Sequence, residues 1–311
     1  MIAIVTAVYK ADPLYLSRQI DSYSQQTFKD FLIIFVNADQ SSHKIIQELC
    51  SPYSFDYTII TPALKLGPRE AFGFGIQEAI NTRNIQYISL SDQDDVWLPH
   101  KLSTLLRIAK QSGVSLVHSN ASIIDEQGNI IQARKWHNKN ENDHTKLEYL
   151  QYTNYVIGMT CLFPVKTAKI AVPFLENDSL EPLHDWLLAI AAGMIGEIRY
   201  VDLGLVLYRQ HSNNVVGYEI TSPILNLFTL AEQVKTKWRW ALKTQPLVQL
   251  VFSIYTQRCI ESNIALVNNP PYSNSKKGRL LFLAWYFFRT RRLGGLFAVI
   301  VRGFGVQRSS L

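Results

Sequence analysis

The sequence predicts an α/β fold built on an open, mostly parallel sheet with helices on both faces. Two features predict it. Short, continuously apolar runs such as Ile2 to Val8 alternate with longer stretches whose apolar residues recur at helical spacing, and the links between them are short. Polar and acidic clusters follow several of these runs directly, and in sheets of this kind ligands bind at the carboxyl ends of strands. The length of 311 residues and the 47% hydrophobic share suit one large domain or two smaller ones with ample core, and exclude a disordered chain.

Ile2 to Val8 reads as the first strand. Asp12-Pro13 then supplies an N-cap and a proline at the first helical position, with Leu16, Ile20 and Tyr23 following on one face. Phe31 to Val36 is a second strand, and Ser42 caps a helix running to Leu49. Tyr57 to Thr61, the helix Glu70 to Asn81 and the strand Gln86 to Leu90 continue the alternation. Ser115 to His118 is a short strand, and Ile123-Ile124 with Ile130-Ile131 flank a hairpin turn at Asp125 to Asn129. Lys135 to His144 is a polar loop. Val156 to Phe163 is strand-like, with Gly158 marking a bulge or a close approach of backbone to ligand. His184 to Ala192 is a helix, and Glu197 to Val201 and Leu205 to Tyr208 are two further strands.

The chemistry concentrates at Ser91-Asp92-Gln93-Asp94-Asp95, three carboxylates within four positions directly after Tyr87 to Leu90. Like charges that close raise one another's pKa unless a cation lies between them. A hard divalent ion takes oxygen ligands, often one or two carboxylates plus substrate phosphates. The plainer alternative is an acidic loop whose Asp95 caps a helix from Pro99 to Ala109. Asp185 is either the N-cap of its helix or a carboxylate facing a cleft, ready to accept a proton. Arg209 and His211 at a strand end are either ordinary structural residues or a site for diphosphate and a divalent ion. Gly73-Phe74-Gly75 lacks the third glycine of a dinucleotide loop and does not directly follow a strand, and no Gly-Lys-Ser/Thr phosphate loop is present.

These pieces together resemble the family 2 glycosyltransferases of GT-A fold, most of all the bacterial rhamnosyltransferases of surface polysaccharide assembly. The matching segments stand in the family's order: Thr6 to Tyr9, Asp39 to Ser42, Gly67 to Gly75, Ser91 to Pro99, Gly158, His184 to Trp186, and Tyr208 to Gly217. The resemblance covers about residues 1–217 and implies a GT-A catalytic domain there, with a nucleotide-diphosphate-sugar donor and a divalent cation, Mn²⁺ or Mg²⁺. It implies that Asp92 and Asp94 form a DXD motif, with Asp94 on the metal and Asp92 nearer the ribose or metal. Asp185 matches the general base of inverting members, and His211 matches a position that binds metal or diphosphate. Thr6, Val8 and Asp39 fall where the family holds the nucleoside. The resemblance further implies that Arg69 reaches base or phosphate and that Arg209 assists the departing diphosphate. The second strand departs from the family pattern: Ala38 stands at the first of two acidic positions, which leaves both dTDP and UDP open as the nucleotide. The Gln-x-x-Arg-Trp signature of processive synthases is absent, which favours transfer of a single sugar. L-rhamnose from dTDP-rhamnose leads; a UDP-sugar transferase or a non-catalytic nucleotide-binding scaffold is the alternative.

Residues 218–311 form an expected helical extension, rich in basic and aromatic residues. Eight of the 31 basic residues and none of the 25 acidic ones follow Glu261, so residues 1–261 carry 23 basic against 25 acidic groups. Such a mildly acidic catalytic part offers no extended positive face for nucleic acid. Leu280 to Phe288, between Arg279 and Arg289, suits a helix lying in a membrane interface, with packing on the catalytic domain or on another subunit of a homo-oligomer as the alternative. A lipid-linked or saccharide acceptor would fit that placement. Three scattered cysteines suit a reducing compartment, and neither a signal peptide nor a spanning run of about 18 apolar residues is read, so the expected location is cytoplasmic, peripheral on the inner face of the membrane.

Overall fold

The computed structural model describes residues 1–136, 150, 154–176 and 183–211, all within one compact unit, Met1–Tyr218. The expected helices beyond residue 217 and most of the polar loop after Lys135 lie outside the described residues.

Strands β1 (Ile2–Val8), β2 (Phe31–Asn37), β3 (Asp56–Ile60) and β4 (Tyr87–Ser91) pair in parallel, in the spatial order β3-β2-β1-β4. The continuous apolar sequences of β1 and β2 follow from burial on both faces, and the edge strand β3 is only partly buried. Helices α1 (Pro13–Ser24), α2 (His43–Cys50) and α3 (Pro68–Asn81) make the crossovers. Asp12 caps α1 as expected, accepting from the amides of Leu14 (2.8 Å) and Tyr15 (3.4 Å). In α3 a Cβ on Gly75 would collide with the side chains of Val5 and Val36. Gly75 therefore lets the helix lie close on the sheet, while Gly73 faces Leu175.

The second half of the sheet is mixed. After β5 (Val96–Trp97) and helix α4 (Lys101–Ala109) come β6 (Val114–Ile124), the hairpin strand β7 (Ile130–Gln132) and β8 (Cys161–Pro164). Helices α5 (Val165–Leu175) and α6 (His184–Ile195) lead into β9 (Glu197–Arg209). The order continues β4-β8-β6-β9-β5, with β7 beside β6. Strand β8 runs antiparallel to both β4 and β6, and β9 runs parallel to β6. Two reversals restore direction, so β6 and β9 end on the same edge as β1, β2 and β4. Helix α6 runs back against β9 through the tight turn at Gly196, which brings its N-terminus to that edge as well.

Several local expectations change. Ser42 precedes α2 but makes no side-chain cap; its hydroxyl donates to Asp39 instead. Asp95 is not a helix cap either: α4 begins at Lys101 behind His100, and Asp95 is fully buried. The two expected strands at 197–208 are one, with a bulge at Asp202-Leu203 where the β6 register jumps from Ser119↔Val201 to Asn120↔Gly204. The short strand at Ser115 is eleven residues long and wholly buried, with Ser115 bonded to the Glu197 carbonyl, Asn120 to Asp202 and Ser122 to the Ala133 carbonyl.

Candidate active site

The acidic loop leaves β4 where β1 also ends. Thr6 pairs with Ser91 across the sheet, and the Tyr23 hydroxyl lies between them, 2.9 Å from Thr6 and donating to Ser91 at 2.7 Å. Gln19 donates to the same Ser91 hydroxyl at 2.9 Å. Beyond Ser91 a side chain continues the pairing. Gln93 accepts from the Tyr9 amide at 2.9 Å and donates to the Tyr9 carbonyl at 3.0 Å, copying a strand partner. That clasp fixes the loop between Asp92 and Asp94.

Burial pushes the Asp92 carboxyl up to about 7, reinforced by the charges of Asp94 and Asp185. Asp95 is pushed well above its usual range, first by burial and then by Asp94 and Asp92, while the Arg209 amide, donating to it at 3.0 Å, works the other way. Asp94 accepts from His211 Nε2 at 2.8 Å, both side chains being largely buried.

Arg209 is 1% exposed. Its Nε donates to the Asp94 carbonyl at 2.9 Å and its Nη1 to the carbonyls of Asp125 and Glu126, each at 3.0 Å. The guanidinium therefore ties the acidic loop to the β6–β7 turn. That turn is itself tightened by Asp125, which accepts from the Asn129 amide at 2.8 Å.

Asp185 occupies the second position of α6, behind Leu183 as the cap residue. Burial raises its carboxyl to about 6, against the lowering effect of hydrogen bonds from the amides of Trp186, at 2.7 Å, and Gly158. Gly158 stands in a 3-10 turn, Gly158–Thr160, where an added Cβ would meet His184 Nε2 at 2.7 Å. The close approach at Gly158 is thus to the start of α6, where the sequence suggested a bulge or an approach to ligand. His184 packs its ring on Phe72, 4.0 Å between centroids, and burial drops it to about 3, so it stays neutral.

The remaining sequence candidates are more distributed. Thr6 and Val8 are fully buried, the Val8 carbonyl accepting from Ala38 at 2.9 Å, so they shape the strand end from within. Asp39 accepts from the amides of Lys10 (3.0 Å) and Ser41 (3.2 Å) and from the hydroxyls of Ser41 and Ser42. Burial alone would raise it, but these hydrogen bonds win and hold its carboxyl below the usual range. Arg69 pairs with Glu70 at 3.0 Å in the first turn of α3.

Three contributors were not legible in the sequence. Lys135 projects its ammonium over the Tyr208 ring at 4.5 Å, and burial lowers its pKa against the opposing pull of Asp95 and Asp185. Tyr15 stacks on His211. Lys101, fully buried beneath the loop, donates to Ser89 at 2.9 Å and lies 3.2 Å from the Trp97 ring centre; burial lowers it to about 7. Tyr15 and Lys135 have no local sequence signal because their partners are distant in the chain, and Lys101, whose partners Trp97 and Ser89 are near in sequence, reads as an ordinary surface lysine at a helix start.

Among the described residues no group of three or more His, Cys, Asp or Glu side chains forms a self-contained metal cage. Of the expected set Asp92, Asp94 and His211, the last two meet at 2.8 Å. The donors suit a different kind of ion: two carboxylates under mutual repulsion match a hard cation whose other ligands are phosphate oxygens and water.

The family model described as Glycosyl transferase family 2 matches residues 3–169. An uncharacterized glycosyltransferase of Methanocaldococcus jannaschii is 31% identical over 137 residues, 43% of this chain and 46% of its own length. The O-antigen biosynthesis glycosyltransferase WbnJ of Escherichia coli is 27% identical over 141 residues, 45% of this chain and 54% of its own. The chain thus spans about half the length of these two relatives. The dTDP-rhamnosyl transferase RfbG of Shigella flexneri is 26% identical over 219 residues, 67% of this chain and 72% of its own. Among solved structures, S. aureus TarS 1–349 in complex with UDP-GlcNAc superposes with a TM-score of 0.51 at 11% identity, covering 100% of this chain and 93% of that one. At that identity the likeness is one of fold.

Proposed function

The chain belongs to glycosyl transferase family 2 and has a GT-A-like fold, and on that premise we propose that it is an inverting transferase of a single sugar from a nucleotide-diphosphate donor. The observation that carries the proposal is the meeting of three carboxylates on one sheet edge, with Asp94 and Asp185 both pressing on Asp92. Asp185 takes the proton from the acceptor hydroxyl. The freed oxygen attacks the anomeric carbon from the face opposite the diphosphate, and the bond from that carbon to the diphosphate oxygen breaks. A carboxyl near 6 is ionised at neutral pH yet basic enough for this transfer.

Asp92 and Asp94 would hold a divalent ion, Mn²⁺ or Mg²⁺, which when bound with the donor supplies positive charge to the leaving diphosphate. Lys135 adds a cation beside Asp185 and Asp95. Arg209 supports the acidic loop through its carbonyl contacts, a role distinct from direct assistance to the diphosphate. Asp39 and Arg69 are expected to reach the nucleoside, with Asp39 fixing the turn, while the buried Thr6 and Val8 shape the strand end behind them.

L-rhamnose from dTDP-rhamnose is the leading donor, supported by the likeness to RfbG. The acceptor is a lipid-linked or other saccharide of polysaccharide assembly, met at a membrane surface through residues 276–311. A thermal-shift panel of dTDP, UDP and their sugars, each with Mn²⁺, Mg²⁺ or EDTA, tests this reading. A ligand at 100 times its dissociation constant should stabilise the fold by about 2.7 kcal/mol. Metal-dependent stabilisation by dTDP-rhamnose above UDP-sugars is expected. A UDP preference would change the sugar and keep the mechanism; no response to any nucleotide would leave a scaffold.

A further inference from the structure

We infer that Tyr15, in the first turn of α1, is a positioning residue that fixes the Asp94–His211 pair. The inference rests on the reading of that pair as part of the donor site. Tyr15 is half-buried and its ring contacts two side chains from the end of β9. It stacks on the His211 imidazole with centroids 5.5 Å apart and planes 23° from parallel. The Arg209 guanidinium carbon lies 4.6 Å from the centre of the same ring.

Each of these two partners holds a different part of Asp94. His211 takes the side chain at 2.8 Å, and Arg209 takes the carbonyl at 2.9 Å. Asp94 is therefore gripped at both ends by groups that share one aromatic platform. The platform comes from a separate part of the chain, anchored by the Asp12 cap, whose carboxylate accepts from the Tyr15 amide itself.

A flat ring suits this task. An imidazole can rotate about its side-chain bond, and a stacked neighbour removes that freedom, leaving Nε2 aimed at Asp94. A guanidinium over an aromatic face gains cation–π attraction, strongest where water is excluded, and Arg209 is buried. Neither interaction needs the tyrosine hydroxyl. The ring should therefore matter and the hydroxyl should not.

The test compares Tyr15→Leu with Tyr15→Phe in the full chain. The side-chain resonances of His211, assigned by their loss in His211→Gln, are followed by NMR. Affinities for UDP and dTDP with Mn²⁺ are measured in parallel, and melting temperature is recorded to show that both variants fold. Tyr15→Leu is expected to move the His211 resonance and to weaken the better-bound nucleotide about tenfold, the scale of one desolvated cation–ring contact. Tyr15→Phe should keep the resonance near its place and the affinity within about twofold. An unmoved His211 resonance in Tyr15→Leu overturns the inference, as does unchanged affinity or an equal loss in both variants. If the parent protein binds neither nucleotide, the donor-site reading fails, and the resonance comparison alone decides whether Tyr15 fixes the pair.

Discussion

Asp92 lies under the influence of two other carboxylates, and its proton is the most direct readout of the site. Its carboxyl rises from 3.8 to about 7 on folding, through burial first and the charges of Asp94 and Asp185 next. A raised acid stabilises the fold fully below its unfolded value and loses that contribution as pH climbs through the folded one. The ligand-free protein should therefore lose stability between about pH 4 and pH 7 through this residue. Asp92→Asn should melt higher than the parent at pH 8, by on the order of 1 kcal/mol, with the difference vanishing at pH 4. Parallel melts at the two pH values check this. A cation that displaces the proton makes the same point from the other side: Mn²⁺ with nucleotide should release protons near pH 6.5. Calorimetry in buffers of different ionisation enthalpy would detect the release. Asp185→Asn separates binding from chemistry, leaving nucleotide affinity within about twofold while transfer falls by at least about 100-fold. Normal turnover in that variant would remove Asp185 as the base.

At the scale of elements, the site depends on how closely the 3-10 turn approaches the start of α6. Gly158 donates its amide to Asp185, and its missing side chain leaves room for the His184 ring. Gly158→Ala would place a methyl group 2.7 Å from His184 Nε2, so the turn and the helix must part. Overpacking of this kind costs about 1–3 kcal/mol. The Asp185 carboxyl would lose a donor and rise further, moving the acidic limb of the pH–rate profile upward. A profile identical to the parent's would show that the turn does not reach the base. The acidic loop has a comparable dependence on Gln93, whose amide alone continues the β1–β4 pairing beyond Ser91. Gln93→Glu keeps the size but cannot donate to the Tyr9 carbonyl, and it adds a fourth negative charge. Nucleotide affinity with Mn²⁺ should fall about tenfold or more if that clasp matters, as titration would show.

For the whole molecule, strand direction decides where chemistry collects. Two antiparallel joints at β8 turn β6 and β9 to the same sense as β1, β2 and β4. The residues after five strands, widely spaced in sequence, thereby share one edge. The basic extension stands apart from that design, since eight basic and no acidic residues follow Glu261. If it anchors the enzyme, deleting residues 276–311 should release the protein from vesicles rich in anionic lipid, as judged by co-sedimentation. The same deletion should leave turnover of a soluble acceptor largely unchanged. Retention on the vesicles would move the membrane contact elsewhere.

The sequence by itself determined the alternation of strand and helix, the parallel half of the sheet, the cap at Asp12 and the segments that carry the acidic groups. These follow from short-range patterns: apolar periodicity, a polar cap, a proline at a helix start. The tertiary structure decided what each polar group does. Ser42 and Asp95 looked like helix caps because cap signals are local, but Ser42 turns back to Asp39 within its own turn, and the Arg209 amide claims Asp95 from across the fold. Helix α5 escaped notice because Pro173 stands inside it, and β9 read as two strands because Asp202-Leu203-Gly204 resembles a turn. Packing against β6 turned that break into a bulge. Tyr15, Gln93 and Lys135 gained their places only when distant segments met, because a contact between segments far apart in sequence leaves no periodic trace in the chain.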